Sequence, residues 1–122
     1  MKKSEKAVEL KHMGNNCCQA VLLAFGDELG MDDATLRQLG APFGAGMGCF
    51  EATCGALCGA QMVLGLKDGN AFSMRDARDT VEQFHERAGA VKCGDLKGIG
   101  TGKMLCSCDD CVRHAAEIIE NM

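Results

Sequence analysis

Residues 44–66, with the sequence GAGMGCFEATCGALCGAQMVLGL, combine a glycine-rich segment with an apolar run that contains no proline. The apolar run predicts a buried helix from about residue 53 to residue 66, preceded by a loop. Cys54 would then lie at the amino end of this helix. Free amide hydrogens and a partial positive charge at a helix start lower the pKa of a cysteine and favour its thiolate. The segment therefore predicts a reactive or metal-binding thiol at Cys54. The alternative is that Cys54 and Cys58 are small side chains that only fill the core, since free cysteine is often buried.

Two glycines of the same helix carry a second prediction. Gly55 and Gly59 are four residues apart and would form a stripe without side chains on one helix face. An interior glycine costs a helix about 1 kcal/mol relative to alanine. Two of them at helical spacing indicate that another backbone packs closely here, or that the cysteines need access.

The rest of the chain is also patterned for helices. Apolar periodicity and capping residues predict further helices at residues 3–13, 17–29, 33–39 and 74–88, and a last one from Asp109 or Asp110. A turn is predicted at residues 67–70, a capping box at Ser73, and a loop at residues 89–105. No segment alternates like a strand. We expect one all-α domain over residues 1–122, a compact bundle of about six helices with glycine-rich loops.

Composition narrows the class of protein. The chain has 122 residues, a net charge of −4 and no basic cluster, which argues against binding to nucleic acid or to an anionic membrane surface. Nine cysteines without a recognisable signal peptide favour metal binding or redox chemistry over a disulfide framework, and predict a cytoplasmic protein.

The cysteines form two further groups. Cys17 follows the helix-capping residue Asn16 and lies in the first turn of the second helix, which makes it a candidate functional thiol. Cys106, Cys108 and Cys111 read C-x-C-x-x-C, with Cys93 upstream, and four such thiols can bind zinc or an iron–sulfur cluster. Neither glycine-rich stretch has the spacing of a nucleotide-binding motif, so we expect no nucleotide.

Four segments resemble one family in the same order. They are NCCQAV at residues 16–21, CGALCG at 54–59, FHERAG with VKCGDL at 84–96, and Cys108 with the helix that follows it. Together they resemble the C_GCAxxG_C_C family, which is described as redox-active, over nearly the whole chain.

The resemblance implies four key cysteines, which are Cys17, Cys54, Cys93 and Cys108. A similar domain occurs in split-Soret cytochromes, but this chain has no C-x-x-C-H motif and is expected to hold no haem. It departs from the family pattern by five extra thiols, whose roles the sequence does not assign: Cys18, Cys49, Cys58, Cys106 and Cys111.

Three functions are consistent with these observations. In the first, Cys17, Cys54, Cys93 and Cys108 are ligands of an iron–sulfur or other metal centre that carries electrons. In the second, Cys54 is the attacking thiol of a thiol–disulfide redox protein, with Cys17, Cys58 or Cys93 as the resolving thiol. In the third, a structural zinc ion stabilises the fold of a non-catalytic module that binds a partner. A redox partner is expected, and the glycine stripe and the methionines are compatible with a homodimer.

Overall fold

The computed structural model describes residues 1–68 and 74–122 of the chain. These residues form eight α-helices and no β-strand, which confirms the all-α prediction. The helices are α1 (Lys3–His12), α2 (Cys17–Ala24), α3 (Gly26–Leu29), α4 (Asp33–Gly40), α5 (Gly55–Asp68), α6 (Met74–Ala88), α7 (Cys93–Lys97) and α8 (Cys108–Glu120). The count exceeds six because α3 and α7 are short additional turns of helix.

Two predicted boundaries were wrong. The second helix stops at Ala24, because Phe25 leaves helical geometry and its N–H bonds back to Leu22 and Leu23, and α3 then begins at Gly26. The last helix begins at Cys108, earlier than predicted, because the Ser107 side chain accepts the amide of Asp110 and caps it.

Two predictions lie wholly or partly outside the described residues. The capping box at Ser73 falls outside them, and so do residues 69–70 of the predicted turn. The other half of that turn was wrong, because Lys67 and Asp68 are the last residues of α5. Within the described part of the chain, no helix is long and apolar enough to cross a membrane.

Helix α2 is the centre of the bundle. It packs against α5, α1, α4 and α8, while α1 also lies along α8 and α6 packs against α8. The core between them is aliphatic and aromatic. Its largest fully buried side chains include Phe25, Phe84, Leu22, Leu36, Leu57, Leu96, Ile118 and Ile119.

The glycine stripe of α5 allows the closest of these contacts. A Cβ atom at Gly59 would lie 2.9 Å from the carbonyl oxygen of Cys18 and 3.1 Å from the Cβ of Val21, both on α2. A Cβ atom at Gly55 would lie 2.6 Å from the carbonyl oxygen of Phe43. The predicted close approach of another backbone is therefore confirmed, and it brings the start of α5 beside the start of α2.

This contact makes a prediction about stability. Gly59→Ala should lower the free energy of unfolding by about 1–3 kcal/mol, because the new methyl group overlaps the α2 backbone. Urea unfolding of the two proteins measures the difference. Gly65→Ala is the matched control on the same helix: nothing lies within 4 Å of its Cβ position, so alanine should be neutral or stabilise by up to about 1 kcal/mol. Equal effects of the two substitutions would contradict the contact.

Candidate functional site

Four cysteines lie at the amino ends of four helices. Cys17, Cys93 and Cys108 are the first residues of α2, α7 and α8, and Cys54 immediately precedes α5. The first turn of a helix has amide groups without internal partners, and a long helix adds a partial positive charge there. Negative charge on sulfur is therefore favoured at the starts of α2, α5 and α8.

Capping residues fix the first of these positions. The Asn16 side chain accepts the amide of Gln19 at 2.8 Å, and the Gln19 side chain accepts the amide of Asn16 at 2.9 Å. This reciprocal pair is a capping box, and it confirms the predicted role of Asn16. It holds Cys17 in the first turn of α2.

A short backbone bridge joins Cys54 to Cys93. The Cys54 N–H donates to the Val91 carbonyl at 2.8 Å, and the Cys93 N–H donates to the Ala52 carbonyl at 2.9 Å. Thr53 and Lys92 form the antiparallel pair between them. Two thiols that are distant in sequence are thereby held side by side.

The glycine-rich segment closes over this bridge. Gly46, at φ 57°, leaves room for Cys93, because a Cβ atom there would lie 2.7 Å from the Cys93 Cβ. Three non-glycine residues of the same segment also have left-handed backbones: Ala45, Met47 and Phe50. Each such residue is strained by roughly 1–3 kcal/mol, and strain of this kind is concentrated at functional sites.

The four helix starts open onto one cavity of about 300 Å³. Its walls are formed by Lys11, Asn16, Cys17, Ala45, Phe50, Cys54, Gly55, Cys93, Lys97 and Cys108. The cysteines that the family resemblance singled out are thus brought together in one place. The wall also contains two lysines, Lys11 and Lys97, and these cations favour negative charge on the cysteine sulfurs.

Cys17 and Cys108 form a hydrogen-bonded pair of thiols in this wall. The bond to Cys17 and the nearby ammonium of Lys97 lower the pKa of Cys108 to about 5, although partial burial opposes the shift. The same hydrogen bond, together with burial, raises the pKa of Cys17. Cys108 therefore carries the negative charge of the pair and Cys17 the proton.

Cys54 forms a second such pair with Cys111, which lies outside the cavity wall. The hydrogen bond from the Cys111 thiol lowers the pKa of Cys54 to about 7, against the effect of burial, and the amides of Ala56 and Leu57 add to this lowering. The bond to Cys54 and burial raise the pKa of Cys111. The Cys54 sulfur thus caps α5, as expected for a thiol at a helix start.

Lys97 is the charged group shared by both pairs. Its Nζ lies 3.6 Å from the Cys111 Sγ and 3.4 Å from the Cys106 carbonyl oxygen. Burial of the ammonium lowers the pKa of Lys97, but its electrostatic interactions with the cysteines around it, Cys111, Cys108 and Cys54, outweigh this and raise it. The Lys97 ammonium is therefore the positive charge that stabilises thiolates in both pairs.

The other cysteines lie elsewhere. Cys18 is buried in the core, where its thiol donates to the Met62 Sδ at 3.8 Å. Cys49 is exposed, Cys58 is half-buried, and Cys106 is buried next to Cys111. None of these four lines the cavity.

Sequence analysis named Cys111 only as a member of the C-x-C-x-x-C group, and it did not identify Lys97 or Lys11 as site residues. The Cys108-x-x-Cys111 spacing indicates that Cys111 is a candidate redox or metal-binding thiol. The spacing alone does not show that Cys111 interacts with Cys54. No sequence motif distinguishes Lys97 and Lys11 from the other lysines, because only the fold brings them to the cavity.

The donors surround a space and do not converge on a point. Across residues 1–68 and 74–122, no three His, Cys, Asp or Glu side chains are placed to hold one metal ion. The thiols of Cys17, Cys54, Cys93 and Cys108 instead border a common cavity. This arrangement fits a group that is itself cavity-sized better than it fits a single ion.

The site thus consists of cysteines at four helix starts of an all-α bundle. A family model described as “Putative redox-active protein (C_GCAxxG_C_C)” matches residues 15–122, and the chain belongs to this family. A search of curated proteins and a search of solved structures each found no match.

The Cys17–Cys108 pair predicts a pH dependence of alkylation. In metal-free protein, the rate of Cys108 modification by iodoacetamide should rise with pH to a midpoint near 5, because only the thiolate reacts. Cys17→Ala removes the hydrogen-bond donor, destabilises the thiolate and should move this midpoint upward by at least about one unit. Mass spectrometry of the Cys108 peptide measures the rate. The exposed Cys49→Ala variant should leave the midpoint in place, and an unchanged midpoint in Cys17→Ala would contradict the pairing.

Proposed function

We propose that this redox-active protein is an electron carrier in which Cys17, Cys54, Cys93 and Cys108 are the thiolate ligands of an iron–sulfur cluster. One observation carries the proposal: four thiols, at four helix starts, border a single cavity. Such a cluster, when bound, accepts and releases single electrons. We infer that the role of the chain is to bind it, hold it away from water and set its potential.

The electrostatics of the wall support an anionic group. Four thiolates bring negative charge, and Lys11 and Lys97 supply positive charge in the same wall. Hydrogen bonds to sulfur and local charge are the means by which proteins tune such centres. The amides of Ala56 and Leu57, which bond to the Cys54 sulfur, would act in this way.

A zinc staple has less support from the geometry. Zinc in structural sites takes four donors at a point, about 2.0–2.3 Å from the metal. The described residues offer no such point.

Thiol–disulfide exchange is the second candidate, with Cys54 as the reactive thiol. The observation in its favour is the pKa of Cys54, which lies at about 7. A thiol with a pKa near the ambient pH is best suited to attack a disulfide. We propose a cytoplasmic location, where a reducing compartment would keep the nine thiols free.

Metal analysis separates these candidates. Protein purified without oxygen should be brown and contain iron and acid-labile sulfide, and alanine at Cys17, Cys54, Cys93 or Cys108 should remove most of both. Visible absorption with iron, zinc and sulfide analysis provides the measurement. Cys49→Ala is the matched control, because Cys49 is exposed and outside the cavity, and it should retain full content.

Three outcomes would change the assignment. Full iron content in all four cavity variants would rule out these residues as ligands. Colourless protein with tightly held zinc would favour the stapled binding module. Metal-free protein with titratable thiols would favour thiol–disulfide exchange through Cys54.

A further inference from the structure

A second cavity, of about 400 Å³, lies beside α5. Its described wall is formed by Met47, Thr53, Leu57, Cys58, Gln61, Met62 and Val81. None of these residues also lines the cavity with the four helix starts. Three of them carry sulfur, and all of them are uncharged. The chain therefore has a separate, neutral cavity that is bordered by one thiol and two thioethers.

Two of these sulfur donors lie on one face of α5. Cys58 and Met62 are four residues apart in the helix, so their side chains leave it on the same side. The Cys18 thiol on α2 donates to the Met62 Sδ at 3.8 Å, which occupies one of the two lone pairs of that sulfur. The Cys58 thiol makes only a long contact, 3.9 Å, with the Thr53 carbonyl oxygen. Both sulfurs therefore retain the capacity to bind a further group.

The third donor comes from the glycine-rich segment. Met47 has a left-handed backbone, at φ 59°, and is 51% exposed. A methionine side chain has three rotatable bonds and a polarizable sulfur, so it adapts readily to a bound group. Met47 is thus placed to close over an occupant of the cavity from its exposed side.

The wall also contains a buried oxygen that lacks a partner. The Gln61 Nε2 donates to the Ala77 carbonyl oxygen at 2.9 Å, which ties α5 to α6. The Oε1 atom of the same side chain is buried and has no hydrogen-bond partner within residues 1–68 and 74–122. Such an atom calls for an explanation, and a nearby ion is one of the ordinary ones. Because an amide oxygen is the negative end of its dipole, this wall favours a cation over an anion.

We propose that this second cavity is a binding site for a soft monovalent cation, Cu(I), with Cys58 Sγ and the Sδ atoms of Met62 and Met47 as its ligands. Thiolate and thioether sulfur are the donors that select Cu(I). The proposal is independent of the iron–sulfur cluster, because the two cavities share no wall residue.

Charge balance favours a monovalent ion over a divalent one. When the Cys58 sulfur binds the ion, the thiol releases its proton to water, so that one thiolate neutralises one Cu(I) and no electron is transferred. A Zn(II) ion at the same ligands would leave a net positive charge in a cavity whose described wall is uncharged. Burial of an unpaired charge is costly, and the usual zinc ligands are thiolate, imidazole and carboxylate groups.

Protection of Cys58 from alkylation tests the site in the full chain. Reduced, metal-free protein is kept under nitrogen, and Cu(I) is supplied as its bicinchoninate complex. Bound Cu(I) should slow the reaction of Cys58 with iodoacetamide by at least about tenfold, because the reaction needs a free thiolate. Tandem mass spectrometry reads the label at Cys58 itself, so metal held by other cysteines does not enter the measurement. Zn(II) at the same concentration should give no protection.

Methionine variants show whether the thioethers are ligands. With Met47→Leu and Met62→Leu combined, the protection of Cys58 should be lost at the same free Cu(I) concentration. Leucine is close to methionine in volume, so the fold should be retained, and circular dichroism checks this. Met13→Leu is the matched control: Met13 is 75% exposed and lies outside both cavity walls, so full protection should remain.

A second measurement needs no variant. In protein labelled with carbon-13 at its methionine methyl groups, saturation with Ag(I), another soft monovalent ion, should shift the resonances of Met47 and Met62. The resonance of Met13 should stay in place.

Four results would overturn the proposal in whole or in part. An unprotected Cys58 in the unaltered protein would refute the site. Full protection in the double variant, or unmoved resonances of Met47 and Met62, would refute ligation by the thioethers. Equal protection by Zn(II) would refute the selectivity for a monovalent ion.

Discussion

Amide groups at the start of a helix must find acceptors, and this requirement organises the cavity. Side-chain oxygens of Asn16 and Ser107 cap α2 and α8, so that Cys17 and Cys108 occupy the first helical position behind them. At α5 the Cys54 sulfur itself accepts the amides of the first turn. The local rule that starts each of these helices therefore also places a thiol where negative charge is stabilised.

Close packing then turns separate helix starts into one site. The absence of a side chain at Gly59 allows α5 to lie against the backbone of α2. The bridge between Thr53 and Lys92 attaches the start of α7 to the start of α5. Helix α8 supplies Cys108 and Cys111, and one lysine, Lys97, neutralises the sulfur charge of both pairs. These contacts join residues that are far apart in the sequence, and together they bring the four helix starts to one cavity.

The sequence predicted those features that depend on local rules. Apolar periodicity revealed the long helices, and helix-end chemistry indicated the lowered pKa of Cys54. The start of α8 was predicted too late, because Asp109 and Asp110 are also good capping residues, whereas the residue that caps the helix is Ser107. The Cys54–Cys111 contact was missed for a related reason: it depends on how α5 crosses α8, which no local pattern specifies.

The four cysteines of the wall come from α2, α5, α7 and α8, which span the chain from its second helix to its last. No contiguous fragment that lacks α8 would enclose the cavity. The site is therefore complete only when the final helix has docked. The proposed cluster would be held only by a chain in which all four helices have assembled.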